Sequence, residues 1–132
     1  MARAVNVDQF TYVMEDMLND VRVHMNAGMP KAVKASVRKG RRETVANIPT
    51  SGIKSHTGKY AGGWATRTKR DSTEKVTGVV YNKAVPGLPH LLEKGHAKVG
   101  GGRVAGHEHI APAAETAFED FEERIKRLVD TL

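Results

Sequence analysis

The chain has 132 residues, enough for one domain with one modest core. It has no cysteine, which excludes a disulfide framework and a thiolate metal site, and no apolar run near the ~20 residues that cross a bilayer. A net charge of +6 permits a polyanion partner. The core material is thin, with 28 Leu, Ile, Val and Phe of which 15 are Val, so part of the stabilisation is expected from partner subunits.

Residues 8–26 read as a helix. Asp8 is placed to cap it, and Phe10, Val13, Met14, Met17, Leu18, Val21 and Met25 recur as one apolar stripe. Asn26-Ala27-Gly28 reads as a left-handed stop, and Pro30 suits the first turn of a second helix over 30–47. The alternative is one kinked helix over 8–47. In this second stretch Val33, Val37, Gly40, Thr44 and Ile48 share a side, while Lys31, Lys34, Arg38, Lys39, Arg41 and Arg42 fall on the opposite arc. Pro49 ends the helical run.

Residues 49–63 are a Ser-, Thr- and Gly-rich linker. A β-hairpin is expected over 64–82, with Trp64–Lys69 alternating, a turn at Arg70–Thr73, and a Val-rich return from Glu74 to Asn82. Val79 and Tyr81 face one side and Val76 and Val80 the other, so both faces ask for cover. Leu88, Leu91 and Leu92 form one amphipathic turn closed by Gly95. Residues 96–109 are rich in glycine and read as a long mobile loop. The last helix spans 111–131, with Pro112 in its first turn. Its apolar stripe is Ala114, Phe118, Phe121, Ile125, Leu128, Val129 and Leu132. The fold class is α+β: long N-terminal and C-terminal helices packed on a small antiparallel sheet in a single domain, 1–132.

The chemistry-bearing residues are few. His107-Glu108-His109, with His90 and His96 nearby, has metal-ligand character, yet no third ligand stands at a recognisable spacing, so no metal is expected. Gly100–Gly106 lacks the strand–loop–helix spacing of a phosphate cradle, and no cofactor is expected. No nucleophile–base set or paired carboxylates can be assembled, which argues against an enzyme. The arc of six cations at 31–42 suits either a solvated helix face, an acidic partner or the phosphates of DNA. Residues 1–60 carry ten Lys/Arg against five acids, 61–110 eight against four, and 111–132 three against six. One end of a subunit can therefore attract the other end of its neighbour. Met1–Asn6 has no apolar stretch of a signal peptide, so synthesis in a cytoplasm is expected.

Three segments in order carry a resemblance: Thr57–Trp64 (TGKYAGGW), Leu88–His96 (LPHLLEKGH) and Gly101–Glu115 (GGRVAGHEHIAPAAE). Together they resemble the small tail-component, or head–tail joining (neck, tail-completion), family of siphophages, over about residues 57–132. The resemblance implies a virion structural protein of a long-tailed bacteriophage. Its subunits form a homo-oligomeric ring, commonly hexameric, between the head connector or stopper and the tail tube or terminator proteins. It carries no catalytic residues. It places the protein in the virion neck, and in the host cytoplasm during assembly. On this reading Leu91, Leu92 and Glu93 position the glycine-rich loop, and Arg103, His107 and His109 lie at or near an intersubunit contact. The dense basic helix at 31–42 departs from the family pattern and leaves a passing contact with genomic DNA open.

Overall fold

The computed structural model describes residues 10–54 and 58–132. Asp8 and Thr57 therefore lie outside the described residues. The elements in order are α1 (Phe10–Asn47), α2 (Lys59–Gly62), β1 (Trp64–Ser72), β2 (Lys75–Asn82), α3 (Leu88–Lys94), β3 (Gly95–Ala97), β4 (Arg103–Ala105) and α4 (Ala111–Asp130). This is the expected α+β class, with two separate antiparallel hairpins, β1–β2 and β3–β4.

Of the two readings of the N-terminal half, α1 takes the single long helix. It runs unbroken for 38 residues with Pro30 inside it, and Asn26-Ala27-Gly28 does not stop it. Pro30 has no N–H for the carbonyl four residues earlier, which is that of Asn26. The Arg70 guanidinium at the tip of the first hairpin fills the gap, its Nη2 donating to the Asn26 carbonyl at 2.8 Å. A tertiary donor thus replaces the missing helical one.

α4 lies antiparallel along α1. Successive contacts join His24 to the Leu128 carbonyl, Ser36 to Asp120, and Asn47 to the His109 carbonyl. The seam on α1 is a small-residue ridge with a period of four. Ala32, Ser36, Gly40 and Thr44 are all buried, leading to Ile48 at 3% exposure. Ridges at i±4 interdigitate best when the side chains are small. At Gly40 a Cβ would come within 3.2 Å of the Ala117 methyl. The expected α4 stripe is only partly covered: Phe118 is 73% exposed, and Val129 and Leu132 are exposed as well.

The first hairpin packs its inner face on α1. Trp64, Thr66 and Thr68 alternate inward with Val76, Gly78, Val80 and Asn82, in the register Trp64↔Asn82 to Ser72↔Lys75. Gly78 is needed there, since a Cβ would lie 2.6 Å from both Val33 and Val37. The outer face has no cover: Val79 is exposed, and Arg67 stacks over the Tyr81 ring at 5.2 Å. The glycine-rich segment expected as a loop contains a second hairpin, with Gly100, Gly101 and Gly102 at its tip in positive-φ conformations.

The core sits at one end, where the C-terminal end of α1, α2, α3 and the start of α4 meet. Ile48, Tyr60 and Trp64 form its centre, packed by Val45, Ile53, Val80, Val85, Leu88, Leu92 and Ile110. At the other end, among the described residues, α1 reaches past its bonds to α4. Its first fourteen residues, about 21 Å of helix, precede His24, the first α1 side chain bonded to α4. Met14, Met17, Leu18 and Val21, expected to be part of a core stripe, are exposed on this arm.

Candidate functional site

Glu93 ends α3 facing the start of α4, because the turn at Gly95 folds the chain back. Gly95 has φ 79°, and a Cβ there would strike the Val104 carbonyl. Opposite it, a Cβ on Gly106 would lie 2.5 Å from the Glu93 carbonyl oxygen. Two backbones touch where no side chain fits, and this fixes the base of the second hairpin. The His107 amide then donates to the Leu92 carbonyl at 2.6 Å.

The Glu93 carboxylate caps α4 from outside the helix. Its Oε1 accepts from the amides of His109 (2.9 Å) and Ile110 (2.8 Å), and its Oε2 from that of Ala111 (2.9 Å). These are orphan donors of a helix N-terminus whose own cap position, Ile110, offers no side-chain acceptor. Burial pushes the Glu93 carboxyl up, but the three backbone N–H groups and the His109 imidazole outweigh it, leaving the group below its ordinary value.

His109 is fully buried. Its Nδ1 lies 2.9 Å from Glu93 Oε1 and 2.8 Å from the His107 carbonyl, both acceptors, so Nδ1 carries the proton. Nε2 then accepts from the Tyr60 hydroxyl. Burial, and secondarily the Glu93 charge, push the Tyr60 phenol well above its ordinary value and keep it a donor. Tyr60, Trp64 and His109 meet edge to face, with centroids 5.6–6.3 Å apart. Asn82 closes the node, its Nδ2 donating to the Tyr60 carbonyl and its Oδ1 accepting from the amides of Ala84 and Val85. The hydroxyl–imidazole–carboxylate order is that of a proton relay. Here no edge of the imidazole meets solvent, so the arrangement works as a clamp between α2, α3 and α4.

The sequence-predicted residues divide accordingly. His109 is buried, and Leu92 and Glu93 are half-buried. His109 in particular has no exposed surface and reaches a neighbour only through the elements it holds. Leu91 is half-buried. His107 is tied by Nδ1 to the Ser51 carbonyl at 3.0 Å, and exposed Arg103 donates to the Lys94 carbonyl at 2.9 Å. Tyr60, Trp64 and Asn82 complete the node. Tyr60 and Trp64 stood inside a quoted motif, but nothing in local spacing joins Asn82 to them.

The basic arc is less uniform than its sequence suggests. Lys31, Lys34, Arg38 and Arg42 are exposed. Arg41 is turned inward to donate to the Trp64 carbonyl at 2.8 Å, and Lys39 reaches Asp120 at 3.8 Å. Asp120 also accepts from Ser36 and Arg124. Burial pushes its carboxyl up, and these partners outweigh that to hold it below its ordinary value.

Two grooves flank α1. One, about 370 Å³, is apolar and lies between β2 and α4, lined by Val33, Val37, Val80, Ala117, Phe118 and Phe121. Trp64 closes its inner end with an indole N–H that has no partner among the described residues. The other, about 520 Å³, lies against β1, with Lys31, Lys34, Arg38 and Arg70 around a floor of Thr66, Thr68 and Val76. No helix among the described residues is long and apolar enough to cross a membrane. Comparison of the chain with protein-family models, curated proteins and solved structures yields no match.

Proposed function

We propose that the chain is a virion structural subunit of a long-tailed bacteriophage. It would be a neck or tail-completion protein that assembles into a homo-oligomeric ring, commonly hexameric, joining the tail tube to the head connector, and has no catalytic role. One observation carries this reading. The residues behind the siphophage resemblance, Tyr60, Trp64, Glu93, Gly95, Gly106 and His109, converge on one buried clamp that sets the start of α4. A motif whose residues serve architecture suits a protein that works by its surfaces. The exposed apolar stripe of Met14, Met17, Leu18 and Val21 supports the same reading, because contiguous exposed apolar surface of this kind marks an interaction site. The thin core agrees with it. Mass measurement in solution, then imaging with purified tails and connectors, tests the proposal. Closed rings, formed alone or on these partners, are the expected result. A protein that stays monomeric and unbound in both conditions overturns it.

A second reading, a DNA-binding module, is favoured by the groove bearing Lys31, Lys34 and Arg38, whose cations are exposed along one face. Fluorescence anisotropy with a short duplex across a salt series decides it. Retained binding at moderate salt with a steep salt slope is its signature.

A further inference from the structure

One face of α4 is largely exposed. Glu115, Phe118, Glu119 and Glu122 are spaced i, i+3, i+4, i+7 and all are exposed, so three carboxylates stand beside an aromatic ring that is 73% exposed and edges the apolar groove. The basic groove is the counterpart of this face. Lys31, Lys34 and Arg38 stand around a floor of Thr66, Thr68 and Val76, whose methyl groups offer an apolar bed between the cations. The two surfaces are distinct but not remote: Phe118 lines the apolar groove between β2 and α4, and Val76 lines both that groove and the basic one. α4 packs on the Ala32–Ser36–Gly40 side of α1, and Lys34 and Arg38 project nearly half a turn round that helix.

We infer that the basic groove of one copy receives the Glu115–Glu122 face of α4 from a second copy, with Phe118 seated over Thr68 and Val76. The inference rests on the ring reading above and names its contact. Two different, complementary surfaces make a head-to-tail interaction, the kind that closes into a ring when the rotation permits. Single exposed ion pairs contribute little. The desolvated aromatic anchors the contact, while the charges set its register and speed its formation.

A charge swap tests this, because all four positions are exposed and their replacement leaves the clamp intact. The half-swaps Lys34→Glu with Arg38→Glu, and Glu119→Lys with Glu122→Lys, should each weaken subunit association at least tenfold at low salt. Melting temperatures should match the parent. All four changes in one chain should restore association to within about threefold, and Phe118→Ser should weaken it without changing its salt dependence. The measurement is native mass spectrometry or sedimentation, in whichever condition the parent assembles, alone or on tails and connectors. A parent that assembles while the half-swaps associate normally, or whose combined swap fails to restore association, overturns this contact and leaves the ring standing. A parent that assembles nowhere overturns both. Half-swaps at Lys34 and Arg38 that abolish duplex binding but leave assembly untouched assign the groove to nucleic acid and overturn the proposal.

Discussion

Glu93→Ala would remove the acceptor for three backbone amides at the entry to α4 and one of two acceptors at His109 Nδ1. A lost N-cap costs about 1 kcal/mol, and a buried donor left without a partner about 1–3 kcal/mol. The Ala111 amide sits in an exposed residue and regains water, so it contributes least, and His109 keeps its bond to the His107 carbonyl. The His109 amide belongs to a fully buried residue and that of Ile110 to a half-buried one, and these carry most of the loss. The expected destabilisation is about 3 kcal/mol. With an unfolding entropy near 2.1 cal/mol/K per residue over 132 residues, that corresponds to a drop of about 11 °C in melting temperature. Glu93→Gln keeps two acceptor lone pairs but not the charge, and should lose about half as much. Calorimetry at pH 7 and one fixed protein concentration is the assay, since association also shifts the midpoint. An alanine variant melting within about 2 °C of the parent would refute the capping account.

Other outcomes follow from the same geometry. Glu93 and Asp120 lie below their ordinary values of 4.5 and 3.8 in the fold, so the unfolded chain takes up protons first as pH falls. Their contribution is complete above those values and lost as pH drops through the folded ones, so the urea midpoint should fall between pH 5 and pH 3. The Glu93→Gln, Asp120→Asn double variant should flatten that fall, and a parent with equal midpoints at pH 7 and pH 3.5 contradicts it. Gly95→Ala forces a side chain into positive φ against the Val104 carbonyl and should cost more than 2 kcal/mol, read by thermal melting. Arg70→Ala frees the Asn26 carbonyl at an exposed position and should cost about 0.5–1.5 kcal/mol. Hydrogen exchange should speed up in α1 around Pro30 while the Tyr60–His109 node stays protected; uniform exchange across both would argue against the local role.

Much of the fold was legible because its signals are local. The alternation of Trp64–Lys69, the Leu88–Leu92 turn closed by Gly95, and Pro112 opening α4 each declare an element within a few residues. The sequence leaves open whether α1 is one long helix or two, because the bond that satisfies the Asn26 carbonyl comes from Arg70, more than forty residues further on. The seam with α4 was written in the sequence as Ala32, Ser36, Gly40 and Thr44. A search for large apolar side chains passes over it, since close helix contact here comes from lack of bulk. The first turns of α1 reverse the usual inference. Met14, Met17, Leu18 and Val21 have core periodicity, and nothing in spacing says whether the surface that covers them is in the same chain. At the candidate site, the sequence reading has Glu93 positioning the glycine-rich loop and His109 lying near an intersubunit contact, and it does not contain the bond between the two. Only the three-dimensional return of the chain at Gly95 brings a carboxylate from one helix onto the first amides of another.

The bonds from His24 to the Leu128 carbonyl and the Thr131 hydroxyl lie nearer the start of α1 than the bond from Arg70 to Asn26. An α-helix is stiff along its length, so the stretch of α1 before His24 is a lever about 21 Å long, and a ten-degree swing at its root carries the tip about 4 Å. Arg70 holds the same helix at Asn26, inward of that root, and also walls the basic groove.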